Sequence, residues 1–130
     1  MKNIKMEEEC RRLYAQLEPR MFDCVDKWAK EKPNEIAIIE YDTGEQVTWK
    51  DFALRSKAMA AKLLSMGIKK GDVVATTLVL LKEHVFLMYA CYRIGAIISP
   101  LDPRLKTHEI DQCFEQARPV ARTVVRLDGD

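Results

Sequence analysis

Two clusters of charged side chains are the candidates for binding or catalytic chemistry in this 130-residue chain. Lys82, Glu83 and His84 follow one apolar run, and Asp102 and Arg104 follow the next. If both runs are strands of a parallel sheet, the clusters lie at the carboxyl ends of the strands, where open α/β sheets usually bind ligands. The guanidinium fork of an arginine in such a place suits a phosphate group.

A purely structural role also explains these residues. The first cluster would open a helix, Pro103 would rigidify a turn, and Arg104 would pair with Asp102 or Glu109. Residue types alone favour this structural explanation.

Other chemistry has little support. The five glycines form neither a G-x-G-x-x-G nor a G-x-x-x-x-G-K-[ST] pattern, and no G-x-S-x-G elbow occurs. His84 and His108 lack zinc-binding spacing. We therefore predict no catalytic residue and no metal site in this chain. Without C-x-x-C spacing, the four cysteines are expected to be buried or half-buried free thiols: Cys10, Cys24, Cys91 and Cys113.

Composition excludes several classes of protein. The chain has 21 basic and 20 acidic residues, which argues against a nucleic-acid-binding surface. Charged residues interrupt every apolar stretch well before the roughly 20 residues of a membrane-spanning helix. The first twenty residues are charged, unlike a secretory signal. We predict a folded protein of the cytoplasm, without a membrane span or nucleic-acid partner.

Apolar spacing predicts the elements that position the two clusters. A charged helix over residues 6–17 and an amphipathic helix ending at Pro33 form a helical lead-in, residues 1–33. The turn residues 42–44 separate two β-type runs and predict a short hairpin.

An α/β unit is predicted over residues 34–130. Helices alternate with strands, which predicts a mainly parallel sheet with helices on both faces. Thr48 and Thr107 are the expected caps of two of the helices. The helix that follows the hairpin has an apolar face of Phe52, Met59, Leu63 and Leu64. The expected strands are residues 73–80, 96–101 and 121–125.

Three segments, in this order, resemble the N-terminal region of the adenylate-forming acyl-CoA synthetases, the AMP-dependent synthetase and ligase family. Residues 48–52, T-W-K-D-F, are similar to the family pattern T-Y-x-E-L. Residues 66–74 are similar to L-G-[IV]-x-x-G-D-x-V, and residues 93–105 to x-x-G-A-[VI]-x-x-P-L-[ND]-P-R-L. Their common order and spacing make the match specific.

The resemblance implies part of an ATP-dependent ligase that activates a small carboxylic acid, a fatty acid by expectation, as an acyl-adenylate and transfers it to coenzyme A. ATP, Mg²⁺ and coenzyme A would serve the whole enzyme. The family's phosphate loop, adenine motif, ribose-binding aspartate and catalytic lysine are not in this sequence. We expect a partial N-terminal subdomain, truncated before the ATP-binding motifs, inactive alone and binding none of these cofactors.

The resemblance also assigns one binding residue. Arg104 lies in the P-R-L turn, where an arginine of some relatives resembles a contact to the phosphates of coenzyme A. Where relatives commonly read L-P-N-S-P-E, residues 78–83 read L-V-L-L-K-E, so Val79, Leu80 and Leu81 carry no assigned role.

Two further expectations remain. The alternative to a ligase subdomain is a free-standing α/β binding or interaction module without catalysis. If the chain is a piece of a larger subdomain, the helix around Phe86, Met88, Tyr89 and Tyr92 leaves an apolar patch uncovered, which predicts self-association.

Overall fold

The structure is a computed structural model that describes residues 4–16 and 20–124. No helix within these ranges is long and apolar enough to cross a bilayer. The expected element ends at Leu17 and Val125 lie outside them. The elements in chain order are α1 (Ile4–Gln16), α2 (Met21–Glu31), β1 (Ile36–Ile39), β2 (Gln46–Thr48), α3 (Trp49–Ser65), β3 (Val73–Thr77), α4 (Lys82–Ile94), β4 (Ile97–Pro100), α5 (Thr107–Ala117) and β5 (Ala121–Val124).

Strands β1 and β2 form the predicted antiparallel hairpin, and β4, β3 and β5 form a parallel sheet in that order. Val74 of β3 and its neighbour Ala121 pack against the core between α3 and α4. The next pair in register, Ala75 and Arg122, faces the other side, where the guanidinium lies 5.4 Å from the Phe114 ring of α5. Helices therefore cover both faces of the sheet, as predicted.

Helix α4 is covered by α2 and α3 as well as by the sheet. Phe86 is only 2% exposed and its ring lies 5.8 Å from that of Phe52. The prediction that Phe86 belongs to an uncovered patch is therefore wrong, because α3 packs over it. Met88, Tyr89 and Tyr92 are half-buried.

Two apolar runs were predicted to be more buried than they are. Strand β3 ends at Thr77 rather than at Leu80, since Val79 and Leu80 are 53% and 81% exposed in the loop that leads to α4. Leu64 is 54% exposed, because one step of the helix beyond Leu63 turns its side chain away from the core.

The helix caps agree with the sequence at α3 but not at α5. Thr48 Oγ1 accepts a hydrogen bond from Asp51 N at 3.2 Å, as predicted. Lys106, not Thr107, is the cap of α5, because its backbone N–H donates to Glu109 Oε2 at 2.8 Å. The carboxylate of Glu109, the third residue of the helix, thus accepts from the backbone N–H of the capping residue, and no side-chain hydroxyl is needed.

One arginine of α4 joins three helices. Arg93 Nη1 and Nη2 donate to Asp26 of α2 at 2.9 and 2.8 Å, and Nε donates to Ser56 Oγ of α3 at 2.9 Å. Its guanidinium also lies 5.1 Å from the Phe22 ring centroid. The Arg93 side chain is 9% exposed, so these contacts are shielded from water.

Replacing Arg93 with methionine keeps aliphatic volume but removes the donor to Ser56 and leaves Asp26 with the longer contact to Lys57, at 3.5 Å. We expect the free energy of unfolding to fall by about 2–3 kcal/mol, somewhat less than for a fully buried pair because Asp26 is 34% exposed. Urea unfolding of Arg93→Met, Asp26→Asn and the double variant measures the coupling. Additive effects would show that the pair does not act as a unit.

The pair also makes stability depend on pH. Hydrogen bonds from Arg93 lower the pKa of Asp26 below its ordinary range. The stabilisation is therefore complete above the unfolded pKa, about 4, and is lost as pH falls through the lower folded value. The difference in stability between the wild type and Arg93→Met should shrink in acid, as urea titrations at several pH values would show.

Candidate functional site

Both predicted clusters lie at the carboxyl edge of the sheet. Strands β3 and β4 end side by side, and Leu101 N donates to Thr76 O at 2.7 Å just beyond their pairing. The loop after β3 leads to Lys82, the first residue of α4, and the turn after β4 carries residues 102–104. The sequence therefore located this edge correctly.

Lys82 is half-buried and paired with carboxylates rather than presented to a ligand. Its side chain is 12% exposed, and Nζ pairs with Glu45, with Glu83 at 3.3 Å and with Glu40 at 3.5 Å. Its backbone N–H also donates to Glu40 at 3.1 Å. These contacts, the hydrogen bond with Glu45 foremost, raise the Lys82 pKa, so the lysine remains charged and joins the hairpin to α4.

His84 faces back to the central strand. Its Nε2 lies 2.9 Å from Thr76 Oγ1, and the two residues are 6% and 0% exposed. The other ring nitrogen, Nδ1, has no hydrogen-bond partner among the described residues. Sequence reasoning missed this pair, since Thr76 lies inside an apolar strand with no local signal of a polar partner.

Arg104 presents its guanidinium to solvent. Its side chain is 88% exposed, while Nε and Nη2 donate to Asp102 at 3.0 and 2.6 Å. These hydrogen bonds lower the pKa of Asp102 to about 2, so the carboxylate is ionised near neutral pH. Glu109, the other expected partner, caps α5 instead. The third guanidinium nitrogen, Nη1, takes no part in these hydrogen bonds with Asp102.

A second cation near this edge was missed in the sequence. Arg122 of β5 donates from Nη2 to Thr77 Oγ1 at 3.4 Å. Its neighbourhood depends on the register of β5 against β3, which pairs Ala75 with Arg122. No local sequence pattern determines that register.

An apolar cavity of about 290 Å³ opens between α3, α4 and β5. Its lining includes Leu63, Val74, Leu78, Leu87 and Arg122. Arg104 does not take part in this cavity. Within residues 4–16 and 20–124, no three His, Cys, Asp or Glu side chains come close enough to hold a metal ion.

The cysteines divide by location. Cys91 is buried and burial raises its pKa to about 11, while Cys113 is half-buried. Cys10 and Cys24 are exposed. The prediction of buried or half-buried thiols is therefore wrong for these two, because α1 buries no residue and the buried residue of α2 is Val25 rather than its neighbour Cys24.

The structure is an α/β scaffold with a parallel sheet, and the exposed ion pair of Asp102 and Arg104 lies at the carboxyl edge of that sheet, where open α/β sheets usually bind ligands. Residues 25–127 match the family described as AMP-binding enzyme. The chain belongs to this family, and the resemblance drawn from its three segments is confirmed.

Similar proteins are longer. The chain is 30% identical over 105 residues to a 4-chlorobenzoate–CoA ligase from an Arthrobacter species, covering 81% of this chain and 20% of that protein. A putative long-chain-fatty-acid CoA ligase from Rhodopseudomonas palustris has TM-score 0.76 and 28% identity over 81% of this chain and 26% of its own. The N-terminal domain of FACL13 from Mycobacterium tuberculosis has TM-score 0.77 and 23% identity, over 81% of this chain and 26% of its own. The chain thus spans about a fifth of the curated relative's length.

Thiol labelling tests the locations of the cysteines. We expect Cys10 and Cys24 to react quickly with a maleimide in the native protein, and Cys91 to react only on unfolding, because the thiolate is the reactive form. Peptide mass spectrometry at successive times, with and without urea, gives the order. Native labelling of Cys91 as fast as that of Cys24 would contradict its burial.

Proposed function

We propose that residues 1–130 form one N-terminal subdomain of a cytoplasmic, ATP-dependent carboxylic acid:CoA ligase, with residues 1–33 as its helical lead-in. The observation that carries this proposal is the family match over residues 25–127. The similarity to a CoA ligase over 81% of the chain supports the same reaction class.

In the proposed reaction, the carboxylate of the substrate attacks the α-phosphorus of ATP and releases pyrophosphate. The acyl-adenylate then carries AMP, a leaving group that a carboxylate lacks. The thiol of coenzyme A attacks the acyl carbon, loses its proton and displaces AMP, which gives the thioester.

The residues of this chain suit a coenzyme A phosphate better than the triphosphate of ATP. Arg104 offers exposed charged donors at the carboxyl edge of the sheet. No glycine-rich phosphate loop occurs in the sequence, and no metal-binding group lies within residues 4–16 and 20–124. We therefore propose that other segments of the whole enzyme bind ATP and Mg²⁺.

We propose a fatty acid as the first substrate class to test. The structural neighbour from Rhodopseudomonas palustris carries the name of a putative long-chain-fatty-acid CoA ligase, which supports this choice. The Arthrobacter relative is named for 4-chlorobenzoate, so aromatic acids form the comparison set.

The 130-residue chain alone should not catalyse acid-dependent exchange of labelled pyrophosphate into ATP, because it offers no loop for the β- and γ-phosphates. The whole protein, expressed from the complete gene, should catalyse exchange with its acid. Exchange by the short chain would contradict the assignment of ATP to other segments. A gene that ends at codon 130, or a longer protein inactive with every acid tested, would favour an interaction module.

Replacing Arg104 with alanine in the whole enzyme should raise KM for coenzyme A about tenfold. This is the lower end for loss of a charge-assisted hydrogen bond, since Arg104 is exposed to solvent. Adenylate formation, measured separately, should hardly change because it precedes coenzyme A binding.

Asp102→Asn is the matched control for this variant. It weakens the competing carboxylate while keeping the guanidinium, so KM for coenzyme A should stay the same or fall. If Arg104 only braces the turn, both variants should weaken both half-reactions together and lower Tm. An unchanged KM in a stably folded Arg104→Ala enzyme would rule out the phosphate contact.

A further inference from the structure

We draw no further inference here: the strongest candidate, the apolar cavity of about 290 Å³ between α3, α4 and β5, carries none, because nothing among the described residues shows what covers it.

Discussion

The contact of Arg93 with Asp26 and Ser56 is the interaction on which the packing of α2, α3 and α4 depends. A guanidinium that is 9% exposed has lost most of its water and needs partners in fixed positions. Its planar donors impose directions on both acceptors, whereas apolar contacts between the helices alone would tolerate small rotations. Ser56 is fully buried, and its hydroxyl donates to Ala53 O at 3.0 Å. The hydroxyl therefore both accepts from Arg93 and donates to a backbone carbonyl, and is not left unpaired.

Helix α4 transmits that fixed position to the candidate site. Arg93 holds its C-terminal end, while Lys82 and His84 hold its first turn against the hairpin and the central strand. Aromatic rings between these ends, including Phe52 and Phe86, fill the space between α3 and α4. These contacts therefore hold the first turn of α4 in place beside the carboxyl end of β3.

Local spacing in the sequence predicted the helices, the hairpin and the parallel direction of the sheet strands, because these depend on which face of each element is apolar and on how helices alternate with strands. It failed where the structure of a segment depends on its contacts with another part of the chain. Val79 and Leu80 look like strand residues but have no strand beside them, and Lys106 replaces Thr107 as a cap through Glu109. Contacts between distant segments, such as Arg93 with Asp26, have no local pattern, so the sequence could not reveal them.

At the candidate site, only the turn is predictable in detail, since Asp102 and Arg104 are two residues apart. Their pairing serves both interpretations of the sequence. Asp102 orients the guanidinium by accepting from both Nε and Nη2, and it also accepts from the Arg104 backbone. Because the pair is exposed, water competes for both partners, and a phosphate with more charge than a carboxylate can take the place of Asp102. An arginine in this turn can thus pair with Asp102 and still bind a phosphate, whereas Lys82 is 12% exposed and already pairs with the three carboxylates of Glu40, Glu45 and Glu83.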